Sequence, residues 1–178
     1  MSVEHHDFSA VPGPEKDEMS YEVYAFVDTM AEALEQTIDI KADFDKIVIC
    51  GMGGSAIGGD IIRDCVIADV RFPVYVQRFP ELPKWVDKRT FVIMSSYSGN
   101  TRETLAMYEQ AHERGCNIAI MTSGGELLEN GTKNGDIIIR LKPGFQPRSA
   151  LGTMLGHLAN IMDSLCGTHS ADDIRSFI

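Results

Sequence analysis

No stretch of about 18 or more apolar residues occurs in the chain, so none of its 178 residues reads as a membrane-spanning helix. Basic residues are scarce: 16 Lys and Arg face 26 Asp and Glu, a formal charge of −10. That balance argues against a sequence-independent nucleic-acid binder, which needs a basic footprint, and against adhesion to an anionic membrane. Cysteine is sparse too. Cys50, Cys65, Cys116 and Cys166 show no paired spacing, and the five His do not cluster with them. Neither a disulfide framework nor a metal site is expected; buried reduced thiols in a cytoplasmic protein are. The start, MSVEHHDFSA, lacks the basic and apolar regions of a signal or transit peptide.

The acidity that is present is unevenly spread. Residues 1–46 carry 12 acids and 3 bases, whereas residues 47–178 carry 14 acids and 13 bases. The second part is nearly neutral, so the acidic total leaves room for an anionic ligand there.

Pro12-Gly13-Pro14 and scattered charges mark residues 1–18 as a flexible acidic arm, followed by one domain over residues 19–178. Val23, Val27, Met30 and Leu34 follow helical spacing and predict an amphipathic helix from Met19 to about Ile38. Strand-like runs then alternate with helical segments. The strands are Lys46–Cys50, Pro73–Gln77, Thr90–Ser95, Asn117–Thr122 and Asp136–Leu141. Helices are expected up to about Val66 and over about Asn100–Arg114, Gly125–Lys133 and Ala150–Cys166. Continuous β-branched strands separated by helices predict an α/β fold with a parallel sheet covered on both faces. Such sheets place ligands beyond the carboxyl ends of their strands.

Three loops at those ends carry distinctive residues. Gly51–Asp60, GMGGSAIGGD, follows strand one. Its glycines let the backbone approach a ligand, and the helix start behind it offers free N–H groups to an anion. Gly51, Gly53 and Ala56 also match the dinucleotide pattern G-x-G-x-x-G/A. The acidic residue expected after strand two is replaced by Gln77-Arg78, which suits a 2′-phosphate, so NADP stays open.

Ser95–Thr104, SSYSGNTRET, follows strand three. Ser96, Ser98 and Thr101 bring three hydroxyls around Gly99 at a helix start, and Asn100 with Glu103 forms a capping-box pattern. A cap needs one polar side chain. The excess fits a phosphate cradle of hydroxyls and backbone N–H groups.

Gly144–Gly152, GFQPRSALG, precedes the last helix, with Arg148 at the loop-to-helix junction. The helix dipole disfavours a cation there, and Arg suits stabilisation of a developing oxyanion. His157 falls among Met154, Leu158 and Ile161 on an apolar helix face and reads as a core or interface histidine.

GMGGSAIGGD, SYSGNTRETL and QPRSALG, in that order and spacing, resemble the sugar isomerase (SIS) domain family. The similarity extends over roughly residues 20–178 and is to the N-terminal half of bifunctional phosphoglucose/phosphomannose isomerases. The resemblance implies a flavodoxin-like three-layer sandwich with a five-stranded parallel sheet, and aldose–ketose isomerisation through a cis-enediolate without metal or cofactor. It implies that Gly53, Gly54 and Ser55 border the sugar and that Ser96, Ser98, Gly99, Asn100 and Thr101 hold the phosphate. Arg148 would steady the enediolate. Family members carry two such domains in tandem, with the base glutamate and ring-opening histidine in the second, and the tail HSADDIRSFI falls where a linker is expected.

The expected partners are therefore a phosphorylated sugar and a second copy in a homodimer, with neither nucleic acid nor membrane. The competing readings are a non-catalytic phosphosugar-binding regulatory module, an isolated half-enzyme, and an NAD(P)-binding domain.

Overall fold

The computed structural model describes residues 26–147 and 149–178. The predicted arm, the first part of the predicted first helix and Arg148 lie outside these residues. The helices are α1 Phe26–Leu34, α2 Gly54–Val66, α3 Arg102–Glu113, α4 Gly125–Asn134, α5 Leu151–Cys166 and α6 Ser170–Phe177. The strands are β1 Lys46–Gly51, β2 Val74–Gln77, β3 Thr90–Ser95, β4 Asn117–Thr122 and β5 Ile137–Arg140.

All pairings are parallel and the strand order is β2-β1-β3-β4-β5, the order of flavodoxin-like sheets. Successive side chains of a strand point to opposite faces, and each face has its own core. Ile47, Ile49, Phe91 and Ile93 join Met30, Leu34, Ile62 and Leu158 on one face. Val48, Cys50, Val92 and Met94 join Met107, Ala111 and Leu127 on the other. The central strands are apolar along their middle residues because both faces are covered.

This topology creates a switch point between β1 and β3. The chain leaves β1 toward one face through α2 and leaves β3 toward the other through α3, so a crevice opens between their starts. The β2–β3 connection forms no helix; Leu82 and Val86 from it cover the second face.

Several expectations need correction. The first helix ends at Leu34 rather than near Ile38, and Val27, expected on its buried stripe, is 44% exposed. The stripe facing α5 instead runs through Met30, Ala33 and Leu34. The tail read as linker is helical: both carboxylate oxygens of Asp163 accept backbone N–H groups, from Ser170 at 2.7 Å and Ala171 at 2.8 Å, and so cap α6 across the turn. Of the four free cysteines only Cys50 is buried, and Cys65 is exposed. Cys65 sits on α2 away from the stripe of Ala56, Gly58, Gly59, Ile62 and Val66 that packs inward.

Candidate functional site

Register brings the first two loops together. Gly51 pairs with Ser95 at the last rung of β1 and β3, so both loops leave the sheet side by side. A Cβ on Gly51 would lie 3.0 Å from the Ser95 carbonyl oxygen, which is why the position accepts glycine. The Ser95 hydroxyl, fully buried, donates to the Ser55 carbonyl oxygen at 3.2 Å and ties the start of α2 to the end of β3.

Gly53 takes a φ of +53° at the N-cap of α2, a conformation that favours glycine, and space around its Cα is open. No side chain caps α2, and none caps α3 at its N-cap Thr101. The first N–H groups of a helix lack intrahelical acceptors and carry the positive end of the dipole. Two such ends therefore flank the switch-point crevice. Gly59, by contrast, serves packing: a Cβ on it would meet Ile49 at 3.0 Å.

The hydroxyls of the second loop are partly brought together. Ser96, 3% exposed, donates to the Thr101 hydroxyl at 3.3 Å. Ser98 is exposed, and its hydroxyl accepts the Asn100 backbone N–H at 3.3 Å. Gly99 turns the chain at φ +68°, donating to the Ser96 carbonyl oxygen at 3.2 Å. The predicted capping box is not formed. The N-cap falls one residue later, at Thr101, and the Asn100 side-chain oxygen accepts the backbone N–H of Glu126 at 2.9 Å instead. It caps the neighbouring helix, α4, rather than its own.

Ser55 points toward α5, its hydroxyl 3.9 Å from the Met154 sulfur, which sets the first turn of α5 beside the start of α2. The loop before α5 thus reaches the same rim. No placement of Arg148 itself is described; its neighbours Pro147 and Ser149 are. Arg78, weighed above as a 2′-phosphate ligand, forms an ion pair with Asp60.

Sequence reasoning missed Ser95 and Tyr97. Tyr97 lies between the two predicted serines with its ring buried, and its hydroxyl joins the β5–α5 loop. An apolar body flanked by polar residues was the available signal. His157 is buried at 2% exposure, as expected, with Nδ1 unpartnered, and burial holds its pKa below the ordinary histidine value. Among the described residues no group of three His, Cys, Asp or Glu is placed to hold a metal ion. Among them, too, no helix is long and apolar enough to cross a membrane.

A parallel sheet of this order, with two helix starts lacking side-chain caps and a hydroxyl loop at its switch point, defines the class as a flavodoxin-like α/β domain. Among solved structures, the C-terminal domain of glucosamine-fructose-6-phosphate aminotransferase from Francisella tularensis aligns with a TM-score of 0.71 at 17% identity, covering 90% of this chain and 53% of that one. That likeness is one of fold. In sequence, the chain is 49% identical over 117 residues to the bifunctional phosphoglucose/phosphomannose isomerase of Caldicellulosiruptor bescii, covering 65% of this chain and 34% of that protein. It is 38% identical over 145 residues to the Aquifex aeolicus protein of the same description, covering 79% of this chain and 45% of that protein. No protein-family model matches the chain. By sequence the chain is related to the bifunctional phosphoglucose/phosphomannose isomerases over the part that these alignments cover. It spans less than half the length of these curated relatives.

Proposed function

We propose that this chain supplies the phosphosugar-binding part of an aldose–ketose isomerase that interconverts glucose or mannose 6-phosphate with fructose 6-phosphate. The observation that carries the reading is the switch point: two helix starts without side-chain caps leave adjacent strands there, the Ser96 hydroxyl lies against that of Thr101 at the start of α3, and Gly53 at the start of α2 is open. Such a site neutralises a phosphate with dipoles and hydroxyls rather than ion pairs. In this reading Ser96, Ser98 and Thr101, with the N–H groups around Gly99 and Asn100, hold the phosphate. Gly53, Gly54 and Ser55 border the sugar.

Isomerisation moves a proton between C2 and C1 of the open-chain sugar through a cis-enediolate, with the carbonyl and hydroxyl exchanging places. A fixed phosphate holds those carbons against the reacting groups. We assign Arg148 to the negative charge that develops on the enediolate oxygen. The base that takes the proton and the acid that opens the ring come from outside the three loops, from a second domain or a second copy. Exposed Ile57 and Ile61 on the outer side of α2 favour a homodimer. In this reading the protein works in the cytoplasm, a location that a phosphorylated sugar substrate favours.

The test joins binding to turnover. Fructose 6-phosphate is expected to raise the melting temperature, and Ser96→Ala with Ser98→Ala to weaken its binding by at least about tenfold, since hydrogen bonds to a charged group are lost. A coupled assay then reports isomerisation. Binding without turnover at high protein concentration leaves the phosphosugar module and overturns the isomerase for this chain alone. Absence of binding overturns both.

A further inference from the structure

Tyr97 occupies an unusual place: it is the residue between Ser96 and Ser98, yet its side chain serves another loop. Its ring is buried, with 6% of the residue exposed. Its hydroxyl donates to the carbonyl oxygen of Lys142 at 2.9 Å and accepts the backbone N–H of Phe145 at 2.8 Å. Both partners lie in the connection from β5 to α5. The backbone of Tyr97 is held as firmly, because its carbonyl oxygen accepts the N–H of Ser123 at 2.9 Å and the hydroxyl of Ser123 at 2.7 Å. The next turn of the connection follows directly, with the N–H groups of Ser149 and Ala150 donating to the Gln146 carbonyl oxygen at 2.9 and 3.2 Å.

We propose that Tyr97 is a positioning residue that sets the start of the β5–α5 loop, at Lys142 and Phe145, against the phosphate loop. This inference rests on the function proposed above and adds to it how two parts of the site are kept in register. A phenol bridging two backbone groups is a short, rigid tie, because its donor and acceptor are one atom. β5 is separated from β3 by β4, so no strand pairing links the two loops directly. A phosphosugar has a fixed span between its phosphate and C1/C2, so the loops holding its two ends need a fixed separation. The tie requires the hydroxyl, which distinguishes it from the packing that any aromatic ring would supply.

The experiment compares the wild-type chain with Tyr97→Phe, and with Tyr97→Leu as the more severe change. Hydrogen exchange reads the tie itself: Tyr97→Phe is expected to speed exchange at Phe145 while the strands stay protected. Binding reads its consequence. The probes are inorganic phosphate, which engages the phosphate loop alone, and 5-phosphoarabinonate, whose carboxylate carries charge where the enediolate would. Tyr97→Phe is expected to weaken 5-phosphoarabinonate by about three- to tenfold, the scale of one lost hydrogen bond, with inorganic phosphate changed less than about twofold.

Unchanged exchange at Phe145 overturns the tie. Faster exchange with equal loss of both probes reduces Tyr97 to a structural residue and overturns the positioning role. If the wild-type chain binds neither probe, the proposed function fails, and exchange still decides whether the hydroxyl holds the loop. If Tyr97→Leu does not fold, Tyr97→Phe remains the deciding variant, since it keeps the ring.

Discussion

The side-chain oxygen of Asn100 accepts the backbone N–H of Glu126 across 26 positions of sequence, at 2.9 Å. The loop that ends β3 thus caps the helix that follows β4, and Gly99 adds a second link by accepting the Leu127 N–H at 2.9 Å. The hydroxyl loop is held from the side, which leaves the start of α3 without a side-chain cap.

Asn100→Ala is expected to cost about 1 kcal/mol, the usual worth of an N-cap side chain, and to lower the melting temperature by roughly 2–4 °C in a domain of this size. Asn100→Asp keeps the acceptor and should hold the wild-type value. Thermal unfolding of the three proteins checks this; equal losses in both variants would show that the oxygen is not what matters.

Two helix glycines should respond with opposite sign to one chemical change. A Cβ on Gly156 of α5 would stand 2.7 Å from the Met30 carbonyl oxygen and 2.8 Å from the Ala33 Cβ on α1. Gly152, one turn earlier, meets the Phe26 carbonyl oxygen in the same way. Backbone cannot give as a side chain can, so Gly156→Ala is expected to lose about 1–3 kcal/mol by overpacking. A Cβ on Gly58 meets only side-chain tips, Leu158 at 3.3 Å and Leu151 at 3.5 Å, so Gly58→Ala should gain most of the roughly 1 kcal/mol of helix propensity. Urea unfolding of both variants measures the pair.

His157 should make stability pH-dependent. Burial depresses its pKa below 6.5, so the unfolded chain binds the proton more readily than the folded one. The contribution is full above pH 6.5 and is lost as pH falls through the folded value. The groups lining the cleft beside it are Glu32 on α1, paired with Lys142 at 3.6 Å, and Arg140 at the end of β5. His157→Asn should flatten the fall in melting temperature between about pH 7 and pH 5; a fall as steep as that of the wild type would assign it to other groups.

The thiols should react in order of exposure. Cys65 is exposed, whereas Cys50 is fully buried and burial pushes its pKa far up. Burial raises Cys116 and Cys166 to about 11 each, leaving little thiolate at neutral pH. Iodoacetamide on the native chain should modify Cys65 first and Cys50 only after unfolding, as read by peptide mass mapping. Early modification of Cys50 would mean that the second face of the sheet opens.

The sheet was legible because its information is local. Runs such as KIVIC, TFVIMS and NIAIMT are long enough and sufficiently β-branched to declare buried strands, and the turns between them carry glycine. The chemistry-bearing loops were legible for a related reason: an excess of hydroxyls or glycines in one turn stands out against what a cap or bend requires. The end of the first helix was overextended because periodicity reports amphipathicity, not where packing against Gly152 and Gly156 ends. The tail helix was missed because its cap, Asp163, belongs to the preceding element.

By itself the sequence determined the parallel α/β class, the approximate limits of its strands, and the loops whose residue types suit a phosphate. These follow from periodicity and local composition. Only the tertiary structure decided which partner each polar side chain takes. Asn100 could satisfy its own helix or another, and Tyr97 could have been one more core ring. Both choices depend on strand order, because β3 and β4 lie adjacent while β5 is reached only across β4. Long-range hydrogen bonds of this kind have no sequence period, so they become visible only when the chain has closed on itself.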